Sequence, residues 1–123
     1  MDREAISELF AQFGPVSVRR MFGGAGIWAD GTMFGLVIRD VIYLKADDLI
    51  IPDFEREHMG PFVYATKNGS RSVRSYWRVP DRLYDDPEAL AAWARRSLAA
   101  AHRSAVLRRR PVVIPRRGIR SKT

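Results

Sequence analysis

The chain has 123 residues, no cysteine and a formal net charge of +7. This length accommodates one domain, and without cysteine the chain can form neither disulfides nor thiolate metal sites nor a cysteine nucleophile. No stretch approaches the roughly 20 apolar residues of a membrane-spanning helix, and the acid-containing N-terminal residues do not resemble a secretory signal. We therefore expect a soluble cytoplasmic protein with no membrane partner.

The basic charge is concentrated at the C-terminal end. Residues 1–102 hold 13 Lys and Arg against 14 Asp and Glu, a net of −1, whereas residues 103–123 hold 8 basic residues and no acid. We predict a folded domain over residues 1–105 and a basic, flexible tail over residues 106–123, because the tail combines prolines, glycine and clustered charge.

An arginine-rich tail binds phosphates non-specifically. The candidate nucleic-acid contacts are Arg108, Arg109, Arg110, Arg116 and Arg117. Two alternatives stay open: a solubilising extension without a ligand, and a short edge strand formed by residues 112–114.

The N-terminal part predicts a helix followed by four strands. Residues 2–13 carry apolar side chains three and four positions apart, which is the spacing of an amphipathic helix. The apolar period then changes to two. The first strand begins at Val16, and the next three cover residues 25–29, 33–38 and 41–45. Asp30-Gly31 predicts a two-residue hairpin, because type I′ turns need positive φ at both central positions.

The middle of the chain predicts a short helix and two further strands. Asp47 and Asp48 are expected to cap a helix over residues 49–58, with Pro52 in its first turn. The strands are expected over residues 62–65 and 72–79, on either side of a tight turn.

The last helix begins at the run Asp85-Asp86-Pro87-Glu88. An aspartate cap, a proline in the first turn and a glutamate three residues after Asp85 indicate a capping box. The elements follow one another as a helix, four strands, a helix, two strands and a helix. This order predicts an α+β fold in which helices flank a mainly antiparallel sheet.

Glycines beside arginines at residues 19–26 raise the question of phosphate binding. A phosphate loop needs a lysine and a hydroxyl residue after its last glycine, at the start of a helix. Here Gly26 opens a predicted strand. We therefore interpret Gly23, Gly24 and Gly26 as a bend between strands that lets a neighbouring backbone pack closely.

Arg19 and Arg20 occupy alternate faces of the first strand. Arg20 shares the face of Val16 and Val18, so burial would demand a carboxylate partner. We expect a structural salt bridge at Arg20. The alternative is an arginine presented to the acidic surface of a partner protein.

Aromatic side chains accompany basic ones on several strands, namely Trp28, Tyr64, Tyr76 and Trp77, with Arg78 beside them. Such a combination can stack nucleobases. A core or dimer interface is the better interpretation here, because the domain as a whole is slightly acidic.

No constellation of catalytic residues is recognisable. His58 and His102 are too far apart for a local metal motif, the serines lack a nucleophile elbow, and the aspartate pairs are explained as helix caps. We expect no enzyme activity, cofactor or metal site. A small-ligand or enzymatic domain is the alternative if a deep pocket with convergent polar groups lies near Arg20 and Tyr76.

Four motifs in a fixed order span most of the predicted domain. They are RRMFGGAGIWADGTMFGLV at residues 19–37, IYLKADD at 42–48, GPFVYAT at 60–66 and SYWRVPDRLYDDPEALAAWARRSLAAA at 75–101. Together they resemble the N-terminal domain of the TfoX/Sxy family, over about residues 5–102. The motif residues that become candidate partner contacts are Arg19, Arg20, Met21, Phe22, Gly23, Gly24, Tyr76 and Trp77.

The resemblance implies a compact α+β domain similar to the type III secretion chaperone fold, which pairs as a homodimer. It also implies a link to bacterial competence, in which full-length members act as coactivators beside a DNA-bound transcription factor. Those members carry a second, helical domain, where this chain has an arginine-rich tail. We expect a non-enzymatic regulatory or adaptor domain with protein partners, transcription machinery among them. Nucleic-acid binding by the tail is the alternative.

Overall fold

The computed structural model describes residues 1–21 and 23–109, which form an α+β fold as predicted. The helices are α1 (Arg3–Leu9), α2 (Ile51–Arg56) and α3 (Pro87–Arg109), with a 3-10 helix (Asp81–Asp85) before α3. The strands are β1 (Ser17–Met21), β2 (Gly24–Ala29), β3 (Thr32–Ile38), β4 (Val41–Lys45), β5 (Pro61–Thr66) and β6 (Gly69–Arg78). None of these helices combines the length and apolarity needed to cross a bilayer.

All six strands belong to one antiparallel sheet in the order β1-β2-β3-β4-β6-β5. The first four strands form the predicted meander. Because β6 pairs with β4, strand β5 is displaced to the outer edge, opposite β1. Within residues 1–21 and 23–109, no further strand pairs with the outer side of β1 or of β5.

Two tight turns set the register of the meander. Asp30 and Gly31 have φ of 52° and 69°, and Arg39 and Asp40 have φ of 51° and 65°. Positive φ at both central residues is the geometry of the type I′ hairpin, whose twist matches that of the flanking strands. The first turn confirms the prediction from Asp30-Gly31. The second places two non-glycine residues in a conformation that side chains disfavour.

The hydrophobic core lies between the sheet and the helices. Helix α3 packs across β3 and β4. Most of the side chains on its buried face are small: Ala91, Ala94, Ala100 and Ala101 are all at most 2% exposed. Short side chains allow the helix to approach the sheet closely. Aromatic side chains also fill the core: the rings of Phe10 and Phe34 pack edge to face, with their centroids 5.9 Å apart.

Helix boundaries differ from the prediction in three places. Helix α1 ends at Leu9 rather than at residue 13, because the backbone N–H groups of Phe13 and Gly14 both bond to the carbonyl of Phe10 and turn the chain. Helix α2 begins at Ile51 and has no side-chain cap. Helix α3 continues to Arg109, so residues 106–109 extend the helix instead of belonging to the predicted tail.

The two aspartate pairs also differ from their predicted roles. Asp86, and not Asp85, caps α3: its Oδ1 accepts from the backbone N–H of Ala89 at 3.1 Å. Asp85 lies in the preceding 3-10 helix, so no capping box forms around it. The Asp47 side chain accepts from the N–H of Leu49 at 3.2 Å, in the turn before α2 rather than at the cap of that helix.

Asp47 also joins α3 to the rest of the fold. Its carboxylate accepts two hydrogen bonds from the Arg103 guanidinium, at 2.7 and 3.1 Å. Those hydrogen bonds hold the pKa of Asp47 below its ordinary value of 3.8, and the same contact raises the pKa of Arg103. Capping alone therefore does not explain Asp47, because the residue anchors the C-terminal half of α3.

Substituting Asp47→Asn should lower the free energy of unfolding by about 1 kcal/mol at pH 7, since the lost pair is charged but partly exposed. A depressed carboxylate pKa contributes stability above its unfolded value, and this contribution disappears as the pH falls through the folded pKa. The difference from wild type should therefore shrink below about pH 4. Urea denaturation at several pH values measures it.

Asp48→Asn is the matched control, because Asp48 is 94% exposed and its contact with Arg74 is long, at 3.4 Å. It should change stability little at any pH. An Asp47→Asn effect that stays constant from pH 7 to pH 2 would contradict the assignment.

Candidate functional site

The glycines of the motif lie in a bend that leads into β2. Gly23 has φ of +76°, in the left-handed region, and Gly24 begins the strand. A Cβ at Gly24 would collide with the backbone carbonyl of Val37 on β3. A Cβ at Gly26 would lie 2.5 Å from Cζ3 of Trp28. Close packing thus requires glycine at both strand positions, in agreement with the interpretation as a bend, and no helix follows to cradle a phosphate.

A groove opens beside this bend, at the β1 edge of the sheet. It encloses about 730 Å³. Its floor is apolar and consists of Ile6, Val18, Ala25 and Val37. Three exposed arginines, Arg3, Arg20 and Arg39, also line it. We call this feature the arginine groove.

The salt bridge predicted for Arg20 is wrong. Within residues 1–21 and 23–109, none of the three arginines of the groove forms an ion pair. Two carboxylates also line the groove but bind other groups: Asp2 accepts from the N–H of Ala5 at 2.8 Å, and Asp40 accepts from the amino group of Met1. Arg20 stays exposed because β1 is an edge strand, which leaves its guanidinium in water.

Arg19 points to the other face of β1, as the alternation predicts. Its guanidinium carbon lies 4.8 Å from the centroid of the Trp28 ring, a cation–π contact. Met21 reaches the same region, since its sulfur lies over Gly26 next to the Trp28 ring. Arg19, Met21 and Trp28 therefore form one packed cluster on the sheet, and of the three only Met21 also lines the arginine groove.

Tyr76 and Trp77 are buried, at 8% and 4% exposure. The indole N–H of Trp77 donates to the carbonyl of Arg74 at 2.7 Å. Burial raises the pKa of Tyr76 to about 12, and the Lys45 ammonium lies 5.1 Å from its ring centroid. These two candidate contacts belong to the interior, as the core interpretation of the aromatics expects, and Tyr76 lies outside the arginine groove.

The remaining candidates lie at or beyond the end of the described chain. Arg108 is exposed on the last turn of α3, and together with burial its charge lowers the pKa of Lys45. The backbone of Arg109 ends the helix. Phe22, Arg110, Arg116 and Arg117 fall outside the described residues, so their predicted roles stay predictions.

These features define a small α+β domain with an antiparallel sheet, a glycine bend and an arginine-lined groove at one edge. The family model of the TfoX N-terminal domain matches residues 8–101. The chain therefore belongs to the TfoX N-terminal domain family, as the motifs predicted. A search of curated proteins gives no match.

Gly24→Ala should lower the free energy of unfolding by about 2 kcal/mol, because the added methyl overlaps a backbone atom that cannot rotate away. Gly60→Ala is the matched control: no atom lies within 4 Å of a Cβ at Gly60. Thermal melts of both variants provide the measurement. Equal stability of Gly24→Ala and wild type would show that β2 does not pack against β3 as described.

Proposed function

We propose that this chain is a non-enzymatic regulatory or adaptor domain that acts through protein–protein contacts in transcription regulation. Membership of the TfoX N-terminal domain family supports a domain of this kind. The single observation that carries the proposal is the arginine groove, where three guanidinium groups flank an apolar floor and none has a carboxylate partner within residues 1–21 and 23–109.

The chemistry of the groove favours a protein partner with an acidic, partly apolar contact segment. Arginine is enriched at interface positions that dominate binding energy, because its planar guanidinium pairs with carboxylates through two parallel hydrogen bonds. The floor supplies the apolar area that such contacts need. A partner would thus neutralise Arg3, Arg20 and Arg39, for which the described residues supply no carboxylate partner.

The family resemblance further suggests the chaperone-like arrangement and pairing as a homodimer. The edge strands β1 and β5, which no third element of the described residues pairs with, offer backbone hydrogen-bonding groups that a second copy can use. Light scattering of the full chain tests this part of the proposal: a monomeric mass at micromolar concentration would end it.

Charge reversal within the groove tests the adaptor role. Affinity capture from a bacterial lysate with the full chain should recover components of the transcription machinery. The Arg20→Glu variant should recover at least about tenfold less of them, because it places a carboxylate against an acidic partner. Quantitative mass spectrometry of the captured proteins is the measurement.

Arg95→Glu is the matched control, since it makes the same change of charge at an exposed arginine of α3 that does not line the arginine groove and forms no ion pair within the described residues. It should leave capture unchanged. Recovery of nothing by the wild-type chain, or equal recovery with Arg20→Glu, would contradict the proposal.

Direct nucleic-acid binding by the tail is the second candidate, favoured by the 8 basic residues and absence of acids in residues 103–123. Replacing Arg110, Arg116 and Arg117 with Gln should weaken binding to duplex DNA at low salt. The dependence of log affinity on log salt should become shallower by roughly 3, about one unit for each lost phosphate contact. Fluorescence anisotropy at two salt concentrations measures both. Equal affinity and slope in variant and wild type would contradict the tail model.

A further inference from the structure

Strands β5 and β6 extend beyond the rest of the sheet as a two-stranded ribbon. Pro61 pairs with Trp77, but its neighbour Phe62 pairs with Val73, so residues 74–76 of β6 bulge away from β5. Beyond this bulge, no other strand of the described part of the chain pairs with the ribbon of residues 62–73. Val63 on one face and Tyr64 on the other are 50% and 44% exposed. We call this ribbon the hairpin arm.

The arm and its base are positively charged. Residues 59–80 contain four basic side chains and no acid: Lys67, Arg71, Arg74 and Arg78. The rest of residues 1–102 holds 9 basic residues against 14 acids, a net of −5. The near-neutral domain is therefore polarised, with a positive arm attached to a negative body.

Among the residues that the structure describes, two of these four cations form only long ion pairs and the other two form none. Arg74 lies 3.4 Å from Asp48 and Arg78 lies 3.6 Å from Asp81, both exposed and long contacts. Lys67 and Arg71 form no ion pair there. The positive charge of the arm is thus available to a ligand.

A row of aromatic rings runs along one face, from the sheet onto the arm. The ring centroids of Tyr43 and Phe62 are 4.9 Å apart, and those of Phe62 and Tyr64 are 6.0 Å apart with a stacked orientation. Because directly paired residues of a sheet share a face, Arg78 stands beside Tyr43 and Arg71 beside Tyr64. Aromatic and cationic groups therefore occur together on one surface.

We propose that the aromatic face of the hairpin arm binds single-stranded nucleic acid. The exposed ring of Tyr64 and the adjoining Phe62 stack on bases, while Arg71 and Lys67 contact the phosphate backbone. Positive charge that follows the backbone, combined with aromatic stacking platforms, is the arrangement with which proteins hold single strands without sequence preference. Outside the arginine groove, the net negative charge of the rest of residues 1–102 disfavours phosphate.

An acidic protein segment is the competing occupant, since it would also pair with Arg71 and Lys67. The row of rings favours nucleic acid, because a carboxylate-rich segment offers nothing to stack on Tyr64. Duplex DNA is a poorer fit as well, because its bases are stacked on one another and do not present free faces. A dependence on stacking therefore distinguishes this proposal from phosphate binding by the tail, because a duplex offers phosphates to the tail as well as a single strand does.

The test measures binding of the full chain to labelled oligo-dT and oligo-rU by fluorescence anisotropy, with a duplex of equal length for comparison. Tyr64→Ala should weaken binding to both single strands by about 5-fold to 100-fold, and Tyr64→Phe should restore it, because the ring is retained. Duplex binding should not change, since neither substitution alters charge. A loss confined to oligo-dT or oligo-rU would assign the arm to that one nucleic acid.

Val63→Ala is the matched control, because Val63 lies on the same strand and is similarly exposed but faces away from the rings. It should bind as wild type does. The proposal is overturned if Tyr64→Ala binds single strands as tightly as wild type, or if Val63→Ala loses as much affinity. It is also overturned if a poly-glutamate peptide binds the arm through Arg71 while single strands do not.

Discussion

The close approach of β2 to β3 at Gly24 is the constraint on which the β1 side of the molecule depends. The carbonyl of Val37 occupies the space where a Cβ would stand, so the two strands meet backbone to backbone. At Gly26 the absence of a side chain leaves room for Trp28 and Met21 to lie over the strand, and Arg19 then rests on the indole ring. With Arg19 fixed on that face, strand alternation sends Arg20 to the opposite one, where it lines the groove. A backbone contact thereby determines where a charge is presented.

The arginines fall into two groups with different consequences for binding. Arg82 and Arg103 each meet a carboxylate at 2.7 Å, and their charges are largely neutralised within the fold. The three arginines of the groove and Arg71 of the arm have no carboxylate partner within the described residues. Exposed ion pairs add little to stability, so the distribution of the unpaired cations matters more for recognition than for folding. The groove and the arm then differ in what accompanies the charge: aliphatic side chains in the groove and aromatic rings on the arm.

Features set by neighbouring residues were predictable from sequence, whereas features set by distant ones were not. Asp30-Gly31 specifies its own turn, and the glycine bend follows from the residues around it. The role of Asp47 depends on Arg103, 56 positions away, so local capping rules gave the wrong answer. A salt bridge was predicted for Arg20 because the residues around it do not reveal that β1 is an edge strand. The hairpin arm was missed because its charge was averaged with that of the body, and because Tyr43 and Phe62 come together only through the pairing of β4 with β6.

The left-handed backbone of Arg39 creates a conflict between folding and recognition at the β3–β4 turn. A non-glycine residue in this conformation costs about 1 kcal/mol relative to glycine, yet glycine would remove one of the three cations from the groove. Selection for stability alone would therefore favour glycine at this position, and selection for binding would favour arginine. Under the proposed function, relatives that use the groove are expected to retain a charged residue at position 39 despite its strain, and sequence comparison can test this.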